Sequence, residues 1–185
     1  MSPEPKRRNA EKTKASILLA AQQLFAEQGF SQTGIRDIAA RAGISSPLLM
    51  RYFGSKAGLF EAALIDAVRI ETVLTPTKAG FGERLAMLFT DSEINITPPA
   101  IIALSVGHPD AQEIATRVVS EYVIQPVAEW LDGTDKVARA TEIFMLATSF
   151  VMYSRQIPVI GKSEHKGRSV NEWLAGTVQA IVDAN

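Results

Sequence analysis

The chain reads as an all-α protein of about nine helices, and three observations predict this. No alternation of apolar and polar residues at a period of two persists beyond a few positions, whereas apolar residues recur three and four apart throughout. Clusters of glycine, proline and threonine punctuate these runs at intervals that suit helices and their turns. With 46% hydrophobic residues in a length of 185, the chain can bury a core in a small N-terminal three-helix head and a larger helical body.

The first helix is expected over about 11–28, with Ile17, Leu18, Ala21, Leu24 and Phe25 facing inward and Gly29 at its end. In the second, Ile35, Ile38, Ala39 and Ala42 share one face of a 3.6-residue period, while Arg36, Asp37, Ala40 and Arg41 share the other. Gly43 stands where the chain must leave that helix, a place that calls for positive φ, and Ile44 plugs the corner. Ser46 is placed to cap a third helix whose first position suits Pro47, since a missing N–H costs nothing there. Leu49, Phe53 and one edge of Tyr52 then point inward, leaving Ser45, Ser46, Pro47, Leu48, Met50 and Arg51 outward. A helix, a glycine turn and a second short helix form a helix-turn-helix.

The fourth helix follows Ser55 and runs to about Val73, burying Phe60, Ala63, Leu64, Ala67 and Val68, as the only long bridge between head and body. After a loop at 75–80 comes a short fifth helix with Leu85, Leu88 and Phe89, and Thr97-Pro98-Pro99 opens a sixth. The seventh runs from after His108-Pro109-Asp110 to about Leu131, with a bend expected at Pro126. The eighth spans about 135–156, and the ninth spans about 169–183, burying Val170, Leu174, Thr177, Val178 and Ile181.

The outward Leu48-Met50 pair calls for an apolar partner, and a thymine methyl in the major groove is one. Arg36 or Arg51 beside it could meet a guanine edge or a phosphate. Charge points the same way. Through Gly58 there are nine Lys and Arg against four Asp and Glu, a balance of +5; the remaining ten bases and sixteen acids give −6. A net charge of −1 therefore hides a basic head on an acidic body. Lys6, Arg7 and Arg8 add a basic arm, expected to be flexible over 1–10, ahead of a DNA-binding domain at 11–56 and a body at 57–185.

From about Glu11 to Phe60 the sequence resembles the TetR family of bacterial transcriptional repressors. The motifs that carry the resemblance are Gly29-Phe30, Arg36 to Ala39 (R-D-I-A), Ala42 to Ser45 (A-G-I-S) and Tyr52 to Lys56 (Y-F-G-S-K). It implies a second helix capped by Thr33, a two-fold dimer on a near-palindromic operator, bases met by Pro47 and its neighbours, and phosphates met by Tyr52, Ser55 and Lys56. Met50 departs from the tyrosine that many members carry, and Pro47-Leu48 from a frequent Gly-Thr pair.

Other functions find little support. There is no cysteine and only two histidines, so neither a disulfide framework nor a thiolate or histidine-built metal centre is expected, and no cofactor is implied. The longest uncharged apolar run, 143–154, falls short of the roughly twenty residues needed to span a bilayer. No secretion signal is read at the N-terminus, so a cytoplasmic location is expected. An enzyme using Asp110, His108 or Glu113 would need a nucleophile elbow, a phosphate loop or a carboxylate pair, and none is present.

The body suggests two further partners. Helix eight is apolar almost all round, with Val137, Ile143, Phe144, Met145, Leu146, Phe150, Val151 and Met152, and helix nine adds Trp173. Pairing both with their copies would give a four-helix homodimer interface, the mode that the resemblance also implies. The resemblance further implies a small apolar or amphipathic effector, for which Phe89, His108, Tyr122, Trp130, Met145 and Phe150, with Met87 and Tyr153, are the candidate lining. A DNA-binding regulator or structural DNA-binding protein with no small-molecule ligand is the other reading.

Overall fold

A computed structural model describes residues 4–70, 73–159 and 169–184, with side chains described from Asn9 onward. Among these residues there are nine helices and no strand. They are α1 (Glu4–Gln32), α2 (Ile35–Arg41), α3 (Ser46–Phe53), α4 (Lys56–Ala67), α5 (Phe81–Thr90), α6 (Pro98–Ser105), α7 (109–130), α8 (136–156) and α9 (Val170–Asp183).

Several boundaries differ from expectation. The first helix starts at Glu4, so the backbone at 4–10 is helical where an arm was expected; Pro5 suits a first turn, and no glycine interrupts the run that follows. It continues past Gly29 to Gln32 through a kink, Gly29 holding φ 74 and ψ 174, a conformation open in practice only to glycine. The fourth helix ends at Ala67 rather than Val73. Pro126 produces a π-type turn over Ser120–Ile124, in which the Gln125 N–H bonds to Ser120 O, and the helix then continues as Gln125–Trp130. Proline cannot donate to the carbonyl four residues back, so widening the preceding turn absorbs the defect. A second π-type turn, Met152–Gln156, ends α8.

The chain forms two compact units, one holding residues up to Ala67 together with Ala100–Val118, the other Val68–Pro99 with the residues from Val119 on. The expected division at 56/57 is thus replaced by three crossings, at 67/68, 99/100 and 118/119, and α4 is not a sole bridge.

In the first unit α1 packs on α4 about Phe25, Phe60 and Leu64, with Ile17, Ile38, Leu49, Leu59, Ile101 and Val118 also sealed from water. Gln22 crosses that core, donating to Ala63 O at 3.1 Å and to the Asp66 carboxylate at 2.9 Å. Arg117 ties α7 to α4 through Glu61 at 2.8 Å. Gly29 lies so close to α6 that a Cβ there would meet the Leu104 Cβ at 3.2 Å.

In the second unit Phe81, Leu85, Val127, Leu131, Ile143, Phe150, Leu174 and Val178 form one core. Gly82 lets α5 press on α9, and Gln179 bridges the pair by accepting from the Gly82 N–H at 3.2 Å and donating to Lys78 O at 3.3 Å. Ser169 and Glu172 close a capping box that starts α9. Of the surfaces read as apolar, Ile143, Phe150 and Val151 face the core, whereas Val137, Met145 and Trp173 stay exposed. Val170, expected inside, is exposed as well, and Val182 takes a buried place on that face instead. No helix among the described residues is long and apolar enough to cross a membrane.

Candidate nucleic-acid interface

The turn between α2 and α3 is fixed by backbone bonds that its sequence dictates. Ile38 and Ala39 are buried, anchoring α2, while Arg36 and Asp37 face water. Gly43 adopts φ 69, the Gly43 N–H bonds to Ala40 O at 3.1 Å, and the Ile44 N–H bonds to Ala39 O at 3.0 Å. This pair of bonds is the Schellman closure, which satisfies the last carbonyls of α2 and turns the chain sharply. Ser16 reinforces it by donating to Ala42 O at 3.3 Å, and Arg41 reaches back to Glu27 of α1 at 3.0 Å.

From that turn α3 runs with Leu49 sealed in the core and Pro47, Met50, Arg51 and Tyr52 exposed. Met50 and Tyr52 keep 37% and 36% of their surface, high enough for an apolar contact face on so short a helix. Ser45 and Arg36 are exposed beside it, while Ser46 and Leu48, expected outward, are half-buried. The cap lies one residue earlier than expected, with Ser45 at the N-cap and no side-chain bond made there, so Ser46 begins the helix. With Ser46 and Leu48 half-buried, the exposed positions of α3 are Pro47, Met50, Arg51 and Tyr52.

Thr33 is corrected. Its side chain is buried and donates to Gly29 O at 2.7 Å and Leu24 O at 3.2 Å, while Gly34 holds the N-cap of α2. The Gly29 kink frees carbonyls at the end of α1, and Thr33 satisfies them, so its hydroxyl is spent on the fold.

The far side of the site is the start of α4. Ser55 Oγ accepts from the Gly58 N–H at 2.9 Å, capping the helix, and the 12-residue helix leaves further N–H groups at its exposed end. The Lys56 ammonium rests 4.5 Å from the Phe30 ring centre and 3.4 Å from Ser31 O. Partial burial there lowers the Lys56 pKa from the usual lysine value.

The residues suggested as an effector lining are not brought together as one set. His108 belongs to the first unit, where its ring packs against Phe30 at 4.6 Å. Tyr122, Met145, Met87 and Tyr153 are exposed. Trp130 packs on Phe81 at 4.8 Å and donates its Nε1–H to Thr75 O at 2.7 Å. Phe89 and Phe150 lie 6.2 Å apart in near-parallel contact within the second core. Of these side chains, only Phe89, Phe150 and Trp130 share a packed environment, and helical spacing gave no sign of which ones would.

A family model described as bacterial regulatory proteins, tetR family, matches residues 17–63. The HTH-type transcriptional repressor BepR of Brucella suis biovar 1 is 33% identical over 173 residues, which covers 94% of this chain and 76% of that protein. An HTH-type transcriptional repressor of Mycobacterium tuberculosis is 50% identical over 54 residues, a match that spans only 29% of its length and 29% of this chain. Among solved structures, a TetR-family transcriptional regulator from Rhodococcus sp. shares the fold with a TM-score of 0.71 at 18% identity, covering 94% of this chain and 100% of that one.

Proposed function

Because the chain belongs to the tetR family of bacterial regulatory proteins, we propose that it is a sequence-specific DNA-binding transcriptional regulator, a repressor that leaves a near-palindromic operator when a small molecule binds its body. The observation that carries the DNA-binding part is the exposed face of α3, with Pro47, Met50 and Arg51 outward on a helix that Leu49 and the Gly43 turn hold rigidly in place. Pro47 and Met50 suit thymine methyl groups, while Arg36 and Arg51 suit guanine edges or phosphates. Tyr52, Ser55 and Lys56 supply the phosphate side, which sets register without reading sequence.

A homodimer through α8 and α9 would cover Val137, Met145 and Trp173, and sedimentation as a monomer at micromolar concentration would remove it. An apolar or amphipathic effector requires a ligand-dependent rise in melting temperature; the absence of one across hydrophobic compounds would favour a regulator without a ligand. A hundredfold change in operator affinity needs a coupling of only about 2.7 kcal/mol.

Selection of bound sites from random duplex DNA tests the core of the proposal: the recovered sites should share one two-fold sequence, and recovery of no common sequence would sink it. On that site Arg51→Ala should weaken binding by about 10- to 100-fold and weaken binding to mixed DNA much less. Equal losses on both DNAs would make Arg51 a backbone contact. Affinity for either DNA should also fall steeply with added salt, as phosphate contacts demand.

A further inference from the structure

Lys56 carries the last cation of the proposed DNA face, and its side chain is held. A lysine free in water samples many rotamers and must give them up to meet a phosphate, whereas one laid over an aromatic ring has already given up most. Here the ring is Phe30, at 4.5 Å, with a second hold from Ser31 O at 3.4 Å. Phe30 itself is packed against three other rings. It meets Phe60 edge-on at 5.2 Å, lies nearly parallel to Phe25 at 6.1 Å, and touches the His108 ring at 4.6 Å.

His108 is the unusual member. It sits at the corner between α6 and α7, its backbone N–H bonded to Ser105 O at 3.0 Å, and its Nδ1 is buried with no hydrogen-bond partner among the described residues. Polar ring atoms are seldom left so, and here packing on Phe30 rather than hydrogen bonding at Nδ1 holds the imidazole in place. Beside it, Leu104 of α6 lies so near Gly29 that a Cβ added there would meet the Leu104 Cβ at 3.2 Å. The corner therefore docks on Gly29 and Phe30, and the second of these is the ring that lies under Lys56.

We propose that Phe30 is a positioning residue for DNA binding, holding the Lys56 ammonium ready for a phosphate at the start of α4, with His108 setting the ring from the α6–α7 corner. The proposal rests on the DNA-binding reading above. It assigns to Phe30 a role that its burial alone would not reveal, because its ring acts through the charge of a neighbouring side chain.

A double-mutant cycle in the full chain tests it, with a mixed-sequence duplex at low salt as the probe, since a phosphate contact acts on all sequences alike. Phe30→Leu is expected to weaken binding about fivefold when Lys56 is present and to change it less than twofold in a Lys56→Gln background. Phe30→Tyr, which keeps a ring face, should bind like the parent. Equal losses from Phe30→Leu in both backgrounds would overturn the proposal, leaving Phe30 a core residue only. A measurement on the unaltered protein guards against a variant that fails to fold: ring current from Phe30 should shift the Lys56 ε-methylene protons upfield in the magnetic resonance spectrum, and ordinary shifts would also overturn it. Failure of the unaltered protein to bind any duplex would instead sink the DNA-binding reading itself, and this proposal with it.

Discussion

The Gly82→Ala protein is expected to melt about 10 °C below its parent. A Cβ at position 82 would stand 2.0 Å from Ala175 O, 2.9 Å from the Ala175 carbonyl carbon and 3.0 Å from the Gln179 nitrogen. All three are backbone atoms of a helix, so no rotamer change can clear the space. The added methyl must push α5 from α9, pulling Phe81 and Leu85 away from Leu174 and Val178 and breaking the Gly82 bond to Gln179. Overpacking of this kind costs about 3 kcal/mol, and a chain of this size loses about 3 °C for each. Gly43→Ala makes a useful contrast, because nothing lies within 4 Å of its Cβ and only the positive φ is disturbed, at about 1 kcal/mol. A Gly82→Ala melt within about 2 °C of the parent would show that the two helices do not approach this closely.

The second large effect is expected from Arg139→Met. The Arg139 guanidinium, almost wholly buried, donates from Nε to Ile181 O at 2.9 Å and from Nη2 to Val182 O at 2.9 Å, closing the last turn of α9. Its Nη1 reaches Asp132 O at 2.6 Å and Thr134 O at 3.1 Å, fixing the loop before α8. Four carbonyl dipoles and the negative end of a helix take the place that a carboxylate would otherwise fill. Methionine keeps most of the volume and removes every donor. The Ile181 and Val182 carbonyls on α9 then lose their donor at about 1.5 kcal/mol each, while those of the exposed Asp132 and Thr134 turn to water, which lowers the melting temperature by about 9 °C. Since α9 is half of the proposed dimer surface, this variant should also sediment as monomer at concentrations where the parent is dimeric. Unchanged melting would mean that water reaches those carbonyls and that the guanidinium is dispensable.

What could be read from the sequence was what short-range chemistry decides. The α2–turn–α3 segment follows from a small number of local choices, Ile38 and Ala39 inward, Gly43 at positive φ and Pro47 in the first turn of α3, and each is found in the structure. The helix count followed from equally local punctuation. Features set across long separations in the chain were not legible. Gly82 meets a partner 97 residues away, so nothing near it in sequence hints that its missing side chain matters. The resemblance implied that Thr33 caps α2; the kink at Gly29, four residues back, decides where its hydroxyl goes. Gly29-Phe30 reads as a helix end, and only the placement of His108 and Lys56 around Phe30 gives that ring a task. On α8 the sequence showed too much apolar surface but not its division, since nothing local tells that neighbours cover Phe150 and leave Met145 exposed.

That the first unit borrows residues 100–118 has a practical side. A chimaera made by splicing the segment up to Ala67 onto another regulator's remainder would part Phe30 from His108, Gly29 from Leu104 and Glu61 from Arg117. Such a transplant would carry the reading helix intact yet leave one flank of its support to whatever the host supplies. Exchange of specificity between relatives therefore calls for moving two stretches of chain together, or for altering only the outward side chains of α3.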